Sequence, residues 1–286
     1  MGSLKEIKSR VQSVKSTQKI TSAMKMVSSA KLRKAEKVIE SFYPYEQKMT
    51  ELLSKFLSSQ EAVDANELTK IREVKKIAII VFSSNSSLCG SFNSNVLKRF
   101  LAELKSYGKL GRENILVYSV GKMVSKACVK MGFKVEDRYD EYVDKPDYKG
   151  ISIFSDDMMR KFLHKDIDKV VLVYHHFKSK SSQELLCETL LPFPVDAEAK
   201  KQNTDYLIEP DVETIIDDLI PKVIKLKIYT ALLDSVASEH AARTIAMQTA
   251  TENADELLQE LSLQYNKSRQ QAITNELQDI VGGSFQ

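Results

Sequence analysis

Between Lys222 and Val281 there is neither a proline nor a glycine, so sixty consecutive residues lack the two side chains that most often break a helix. At 1.5 Å per residue such a run makes about 90 Å of helix. That is far longer than the average globular helix, and it must find a partner along its length. From Leu226 to Tyr265, apolar, small and polar residues (Leu226, Thr230, Leu233, Ala237, Ala241, Thr244, Gln248, Thr251, Asp255, Leu258, Leu261, Tyr265) recur in steps of three and four, the seam of a coiled coil. The seam is large at both ends and small in the middle. In "ASEHAARTIAMQTATENA", residues 237–254, only Ile245 and Met247 are large and apolar. Gly282 and Gly283 close the run.

The other end of the chain repeats the pattern. From Ser3 to about Phe56 the one breaker is Pro44. Ser3 and Glu6 stand at capping-box spacing. Leu4, Ile7, Val11 and Val14 follow at spacings of 3, 4 and 3, again a coiled-coil seam. Gln18 and Thr21 continue it with polar residues, and Met24, Met26, Val27, Ala30 and Ala35 beyond them are small or flexible. The expectation is a rod of about 60 Å before Pro44. The simplest partner for each terminal helix is the other, antiparallel. Small seam residues bring the backbones close and keep the pair slender, at about 25 cal/mol for each Å² of apolar contact forgone. That cost implies a shaft fitted inside a sleeve.

Between the ends the patterning changes to α/β. "KKIAIIVFSS" (75–84) reads as a buried strand, "NSNVLKRFLAELKSYG" (93–108) as an amphipathic helix stopped by glycine. "ENILVYSVG" is a second strand, "KMVSKACVKMG" a short helix, "DMMRKFLHK" another, and "DKVVLVYHHF" and "SQELLCETLLPF" are two long strands. Alternating strands and helices imply a mostly parallel sheet. The last two strands are expected to pair antiparallel, since "KSKSS" between them is of hairpin length. "DYLIEPD" leads to a boundary at Pro210 and Asp211, and Pro221 stands where the first turn of a helix tolerates it. The expected fold class is α/β: an antiparallel coiled coil of long N- and C-terminal helices (1–58 and 211–286) with an inserted, mostly parallel, Rossmann-like α/β domain (75–210).

Composition removes several classes. Net charge is +3, too small for overall nucleic-acid character, although residues 1–40 carry ten basic against three acidic side chains. That basic face lacks interleaved aromatics before Phe42 and any DNA-binding module. Cys89, Cys128 and Cys187 are odd in number and widely spaced, so neither a zinc ribbon nor a disulfide framework is indicated, and a reduced compartment is expected. No apolar run approaches a membrane span. "MGSLKEIKSR" has no apolar signal core and carries Glu6 where myristoylation requires Ser or Thr.

"LKEIKSRVQSVKSTQKITSAMKMVSSAKLRKA" at one end and "SEHAARTIAMQTATENADELLQELSLQYNKSRQQAITNELQDIVGG" at the other closely resemble the gamma subunit of F-type ATP synthases, as do "SLCGSFN" and "DYLIEPD" between them. The resemblance implies a non-catalytic shaft without cofactor or metal, turning inside a ring of alternating alpha and beta subunits. It places the α/β domain at the base, with the epsilon subunit and the membrane c-ring. It also implies a peripheral location on the cytoplasmic face of a bacterial plasma (inner) membrane, with no direct bilayer insertion and no nucleic acid. By the same resemblance Arg269, Gln270, Thr274 and Glu276 contact a beta-subunit loop near the shaft tip, and Arg243 and Gln248 lie where the shaft meets its collar. Met24, Lys25 and Met26 form the bearing: methionine is flexible and polarizable enough to pass different neighbours, and exposed charge pairs such as Lys25 would make are weak enough to break each turn. One departure stands out. The family turn "DRGLCGGLN" reads "NSSLCGSFN" here, with Ser87, Ser91 and Phe92 as replacements. The inserted redox-cysteine pair of chloroplast relatives has no counterpart.

Other classes compete with this reading. "LCGSFNSN" after the first strand is similar to a phosphate-binding turn at a switch point, but it lacks both GxGxxG and Walker spacing. His175 and His176 are adjacent in a strand and point to opposite faces, which argues against a two-His metal site. Glu239 and His240 have no nucleophile beside them. A nucleotide-binding α/β protein and a coiled-coil scaffold or nucleic-acid tether are the alternatives.

Overall fold

The computed structural model describes residues 4–57, 66–194, 209 and 211–283. In chain order it contains α1 (Leu4–Phe56), β1 (Ile77–Phe82), α2 (Phe92–Ser106), β2 (Ile115–Val120), α3 (Lys122–Lys130), β3 (Val135–Arg138), α4 (Glu141–Asp144), α5 (Tyr148–Leu163), β4 (Lys169–Ser179), β5 (Ser182–Leu191) and α6 (Val212–Gly283). Contacts divide the chain into two compact units, Met1–Ser29 with Arg243–Gln286, and Ala30–Ala242. The proposed cap at Ser3 and most of "DYLIEPD" lie outside the described residues.

The larger unit is built on a five-stranded sheet of order β3-β2-β1-β4-β5. β1 pairs in parallel with β2 and β4, β2 in parallel with β3, and β4 antiparallel with β5, as the hairpin-length loop predicted. All six residues of β1 are buried, because both faces of the sheet are covered and the strand therefore reads as one apolar run. Ile77, Ile79 and Val81 pack with Val96, Phe100 and Leu104 of α2 and with Val124 and Cys128 of α3. Ala78, Ile80 and Phe82 face the other way, into a core shared with α1, α5 and α6. Gly121 follows β2 at φ +114°, where a Cβ would lie 2.1 Å from the Ser83 carbonyl oxygen. Only glycine permits that approach.

α1 continues through Pro44 to Phe56. Proline inside a helix costs about 3 kcal/mol, but Leu53 and Leu57 beyond it are buried, and Met49 and Phe56 pack on the same core. Two expectations are corrected, the place of Pro221 and the start of α5. α6 begins at Val212, so Pro221 is internal. Asp211 supplies the cap by accepting from the Thr214 amide at 2.8 Å and its hydroxyl at 2.9 Å, and Ile216 and Ile220 bury the turns before the proline. α5 begins at Tyr148, well before "DMMRKFLHK", because Asp147 caps the Gly150 amide at 2.9 Å.

The small middle of α6 also changes meaning. Every residue from Ile228 to Ala241 is buried, so this stretch is enclosed on all sides within its own unit. Ala231, Ala237 and Ala241 belong to the core that also holds Leu32 and Ala35 of α1 and the strands. Their smallness serves close packing inside the chain.

Candidate functional site

The smaller unit consists of the first part of α1 and the last part of α6. Gln18 Nε2 donates to Asp255 Oδ1 at 2.6 Å, and the hydroxyls of Thr21 and Thr251 are 2.8 Å apart. A step up α1 is thus a step down α6, which makes the pair antiparallel. Ile7, Thr21 and Ser28 are buried on α1, and Thr244, Met247, Ala254 and Leu261 on α6. The α1 stripe continues through Ser28, Leu32 and Ala35, whereas Met26 and Val27 turn outward, 66% and 58% exposed. The polar seam residues were visible in the sequence; that they bond each other across the pair was not.

The same register places the expected contact residues. Counting from the Thr21–Thr251 pair, Met24 and Lys25 stand level with Gln248, so residues from both helices meet at one height. Met24, Lys25 and Gln248 are half-buried and Gln248 Nε2 donates to Glu252 at 3.0 Å. Arg243 is buried in its own chain. Arg269 lies level with the start of α1, so the later turns of α6 run on beyond that start. Arg269, Gln270, Thr274 and Glu276 are exposed there, and the Thr274 hydroxyl returns to the Gln270 carbonyl at 2.9 Å. Ile273, Leu277, Ile280 and Val281 are exposed on the same segment. Large apolar side chains repeated on an uncovered helix mark a surface for another protein.

The α/β unit offers less chemistry. After β1, Ser84 donates to the Ser86 carbonyl at 2.6 Å, and Asn93 donates to Ser84 Oγ at 2.7 Å and Cys89 Sγ at 3.1 Å. Asn85 bonds the Asp140 carbonyl and the Lys122 amide. These polar groups brace the turn itself, beside a 330 Å³ cavity with Leu88, Leu97, Met123 and Val124 in its walls. His175 stacks on Phe92 at 4.4 Å, and burial pulls its pKa down to about 4. His176 faces the other side, with Nδ1 2.6 Å from Asp234 Oδ2. Among the described residues, no cluster of three or more His, Cys, Asp or Glu is placed to hold a metal, and no helix is long and apolar enough to cross a membrane.

An antiparallel helix pair with an exposed end in one unit, and a mostly parallel α/β sheet in the other, are the parts of a stalk-type subunit. A family model described as ATP synthase matches residues 3–285. The ATP synthase gamma chain of Phocaeicola vulgatus is 52% identical over 289 residues, covering all of both chains, and that of Bacteroides fragilis is 54% identical over 290, again covering both. The chain belongs to the ATP synthase gamma-chain family. In fold it is similar to a chain of the Euglena gracilis mitochondrial ATP synthase at TM-score 0.67 and 20% identity, over 99% of this chain and 93% of that one.

Proposed function

We infer that this chain is the central rotor shaft of an F-type ATP synthase, a non-catalytic subunit that carries c-ring rotation to the nucleotide sites of its neighbours. The observation that carries the reading is the combination of a satisfied seam with an unsatisfied exterior. α1 and α6 pair through Thr21, Thr251, Gln18 and Asp255, yet Ile20, Met26 and Val27 remain on the outside. A helix pair that leaves such residues uncovered is completed by a surrounding surface. Membership of the gamma-chain family supports reading that surface as the rest of the ATP synthase head.

In this reading three alpha and three beta subunits form the sleeve, and the epsilon subunit and c-ring meet the α/β domain. The three stretches 1–58, 75–210 and 211–286 serve as N-terminal shaft, base and C-terminal shaft. Met24, Lys25, Met26, Arg243 and Gln248 form the bearing and collar, and Arg269, Gln270, Thr274 and Glu276 the tip contact. A pair of two different helices lacks threefold symmetry and so presents a different profile to each of three beta subunits. As it turns, it favours the open, loose and tight states of each site in succession, by differential contact with each. Exposed methionine and lysine suit a surface whose contacts break every turn. The complex sits on the cytoplasmic face of a bacterial plasma membrane.

The test is co-purification of the tagged full-length chain with the alpha and beta subunits of its source, followed by an ATPase assay. One copy per complex, with ATP turnover coupled to proton pumping, is the expected outcome. A chain that never associates with those subunits contradicts the reading.

A further inference from the structure

The larger unit contains a buried ionisable cluster that plays no part in the bearing or tip. Asp234 of α6 is 1% exposed and lies 2.6 Å from His176 Nδ1 of β4. Its other carboxylate oxygen is buried without a hydrogen bond in the chain. Every element packed around it contributes a titratable group: Tyr43 and Glu46 from α1, Tyr174 from β4, Glu188 from β5, and Lys227 from α6 itself. Lys227 reaches Glu188 at 3.0 Å, and Asp234 is met by His176 and by the Phe177 amide of β4. The Tyr43 ring lies 6.2 Å from the His176 ring.

A buried carboxylate facing Glu46 is costly to ionise without a positive partner. Burial raises the Asp234 carboxyl from 3.8 to about 6, with His176 drawing it down and Glu46 adding to the rise. Burial raises Glu46 as well, and pushes Tyr43 up to about 12. The cluster is therefore held together by few positive charges.

We propose that His176 and Asp234 form a proton-dependent latch that pins the fully buried turns of α6 to β4. With the Asp234 carboxyl protonated, its hydrogen bond to His176 Nδ1 fastens the helix to the strand. When that proton leaves, a buried carboxylate remains facing Glu46, with Tyr43 and Glu188 close by, and this stretch of α6 loosens. A carboxyl held above its ordinary value contributes stability that is full below 3.8 and is lost as pH rises through about 6. The latch is closed in mild acid and weakened above neutrality. It depends on side chains of this chain alone and stands or falls separately from the rotor reading.

The test is amide hydrogen exchange of residues 230–238 in the full-length chain at pH 5 and pH 8, corrected for intrinsic rates, in wild type, Asp234→Asn and His176→Gln. Wild type is expected to lose on the order of tenfold more protection between the two conditions than Asp234→Asn does, a size typical of coupling within one hydrogen-bonded network. His176→Gln removes the attraction that favours the ionised carboxylate, so its loss of protection should begin at higher pH. If Asp234→Asn folds poorly, the His176→Gln comparison decides. Equal pH responses in wild type and Asp234→Asn, or an unshifted onset in His176→Gln, would overturn the latch.

Discussion

Thr21 and Thr251 meet across the helix pair with their hydroxyl oxygens 2.8 Å apart, while each also approaches a carbonyl of its own helix, Gln18 at 3.1 Å and Met247 at 2.8 Å. Two hydroxyl protons serve three contacts, so one is always unmade. Replacing either threonine by valine leaves the other able to donate to its own carbonyl, and the expected loss is below about 1 kcal/mol. Thermal or denaturant unfolding of Thr21→Val, Thr251→Val and the double variant checks this. A double variant that loses clearly less than the sum of the singles would show a favourable coupling, and that the pair does more than fill a seam.

The enclosed part of α6 predicts a sharp contrast between alanines. Ala241 is fully buried, and Ala241→Leu forces extra volume between α6 and its neighbours, at about 1–3 kcal/mol or more. Ala30→Leu, on an exposed position of α1, should change stability by less than about 0.5 kcal/mol. Comparable losses at the two sites in unfolding experiments would refute the all-round burial of Ile228–Ala241.

His175 predicts acid lability. Burial lowers its pKa from 6.5 to about 4, so the folded state binds a proton less readily than the unfolded one. The stability this represents is present above 6.5 and lost as pH falls toward 4, roughly 3 kcal/mol at most. Asp234 has the opposite slope over an overlapping range, so the wild type should be flatter with pH than either side chain alone would make it. His175→Gln should remove the acid-side loss and expose the fall toward higher pH. A wild-type pH profile unchanged by the substitution would contradict the buried neutral imidazole.

Met26 separates folding from coupling. At 66% exposure it carries little of the chain's own stability, and Met26→Glu should leave the unfolding midpoint within experimental error. In the assembled complex it places a charge on the bearing, so proton pumping per ATP hydrolysed should fall while hydrolysis persists. Unchanged pumping per ATP would remove Met26 from the bearing.

The legible parts of the fold share one physical trait, a pattern repeated often enough to outweigh local noise. "IAIIVF" and "VVLVYHH" are strands because both faces are covered, and the heptad steps from Leu4 to Thr21 mark a seam because every turn repeats them. β3 escaped because "VEDR" is a four-residue edge strand with no apolar run. Pro221 was misread because a local penalty was weighed without the burial of Ile216 and Ile220 that offsets it. Within the site, the seam positions of Gln18, Thr21, Thr251 and Asp255 could be read from spacing. Their mutual bonds required the register. The His176–Asp234 contact joins residues 58 apart in sequence on elements of different period, and no spacing rule connects them.

The most direct test of the central claim is to watch the shaft turn. The alpha–beta ring of the purified complex would be fixed to a surface and a gold rod attached to this chain through an introduced cysteine in the α/β unit. With ATP supplied, unidirectional rotation with three dwells per turn is the predicted result. A complex that hydrolyses ATP at its full rate while the rod shows only Brownian motion would contradict it.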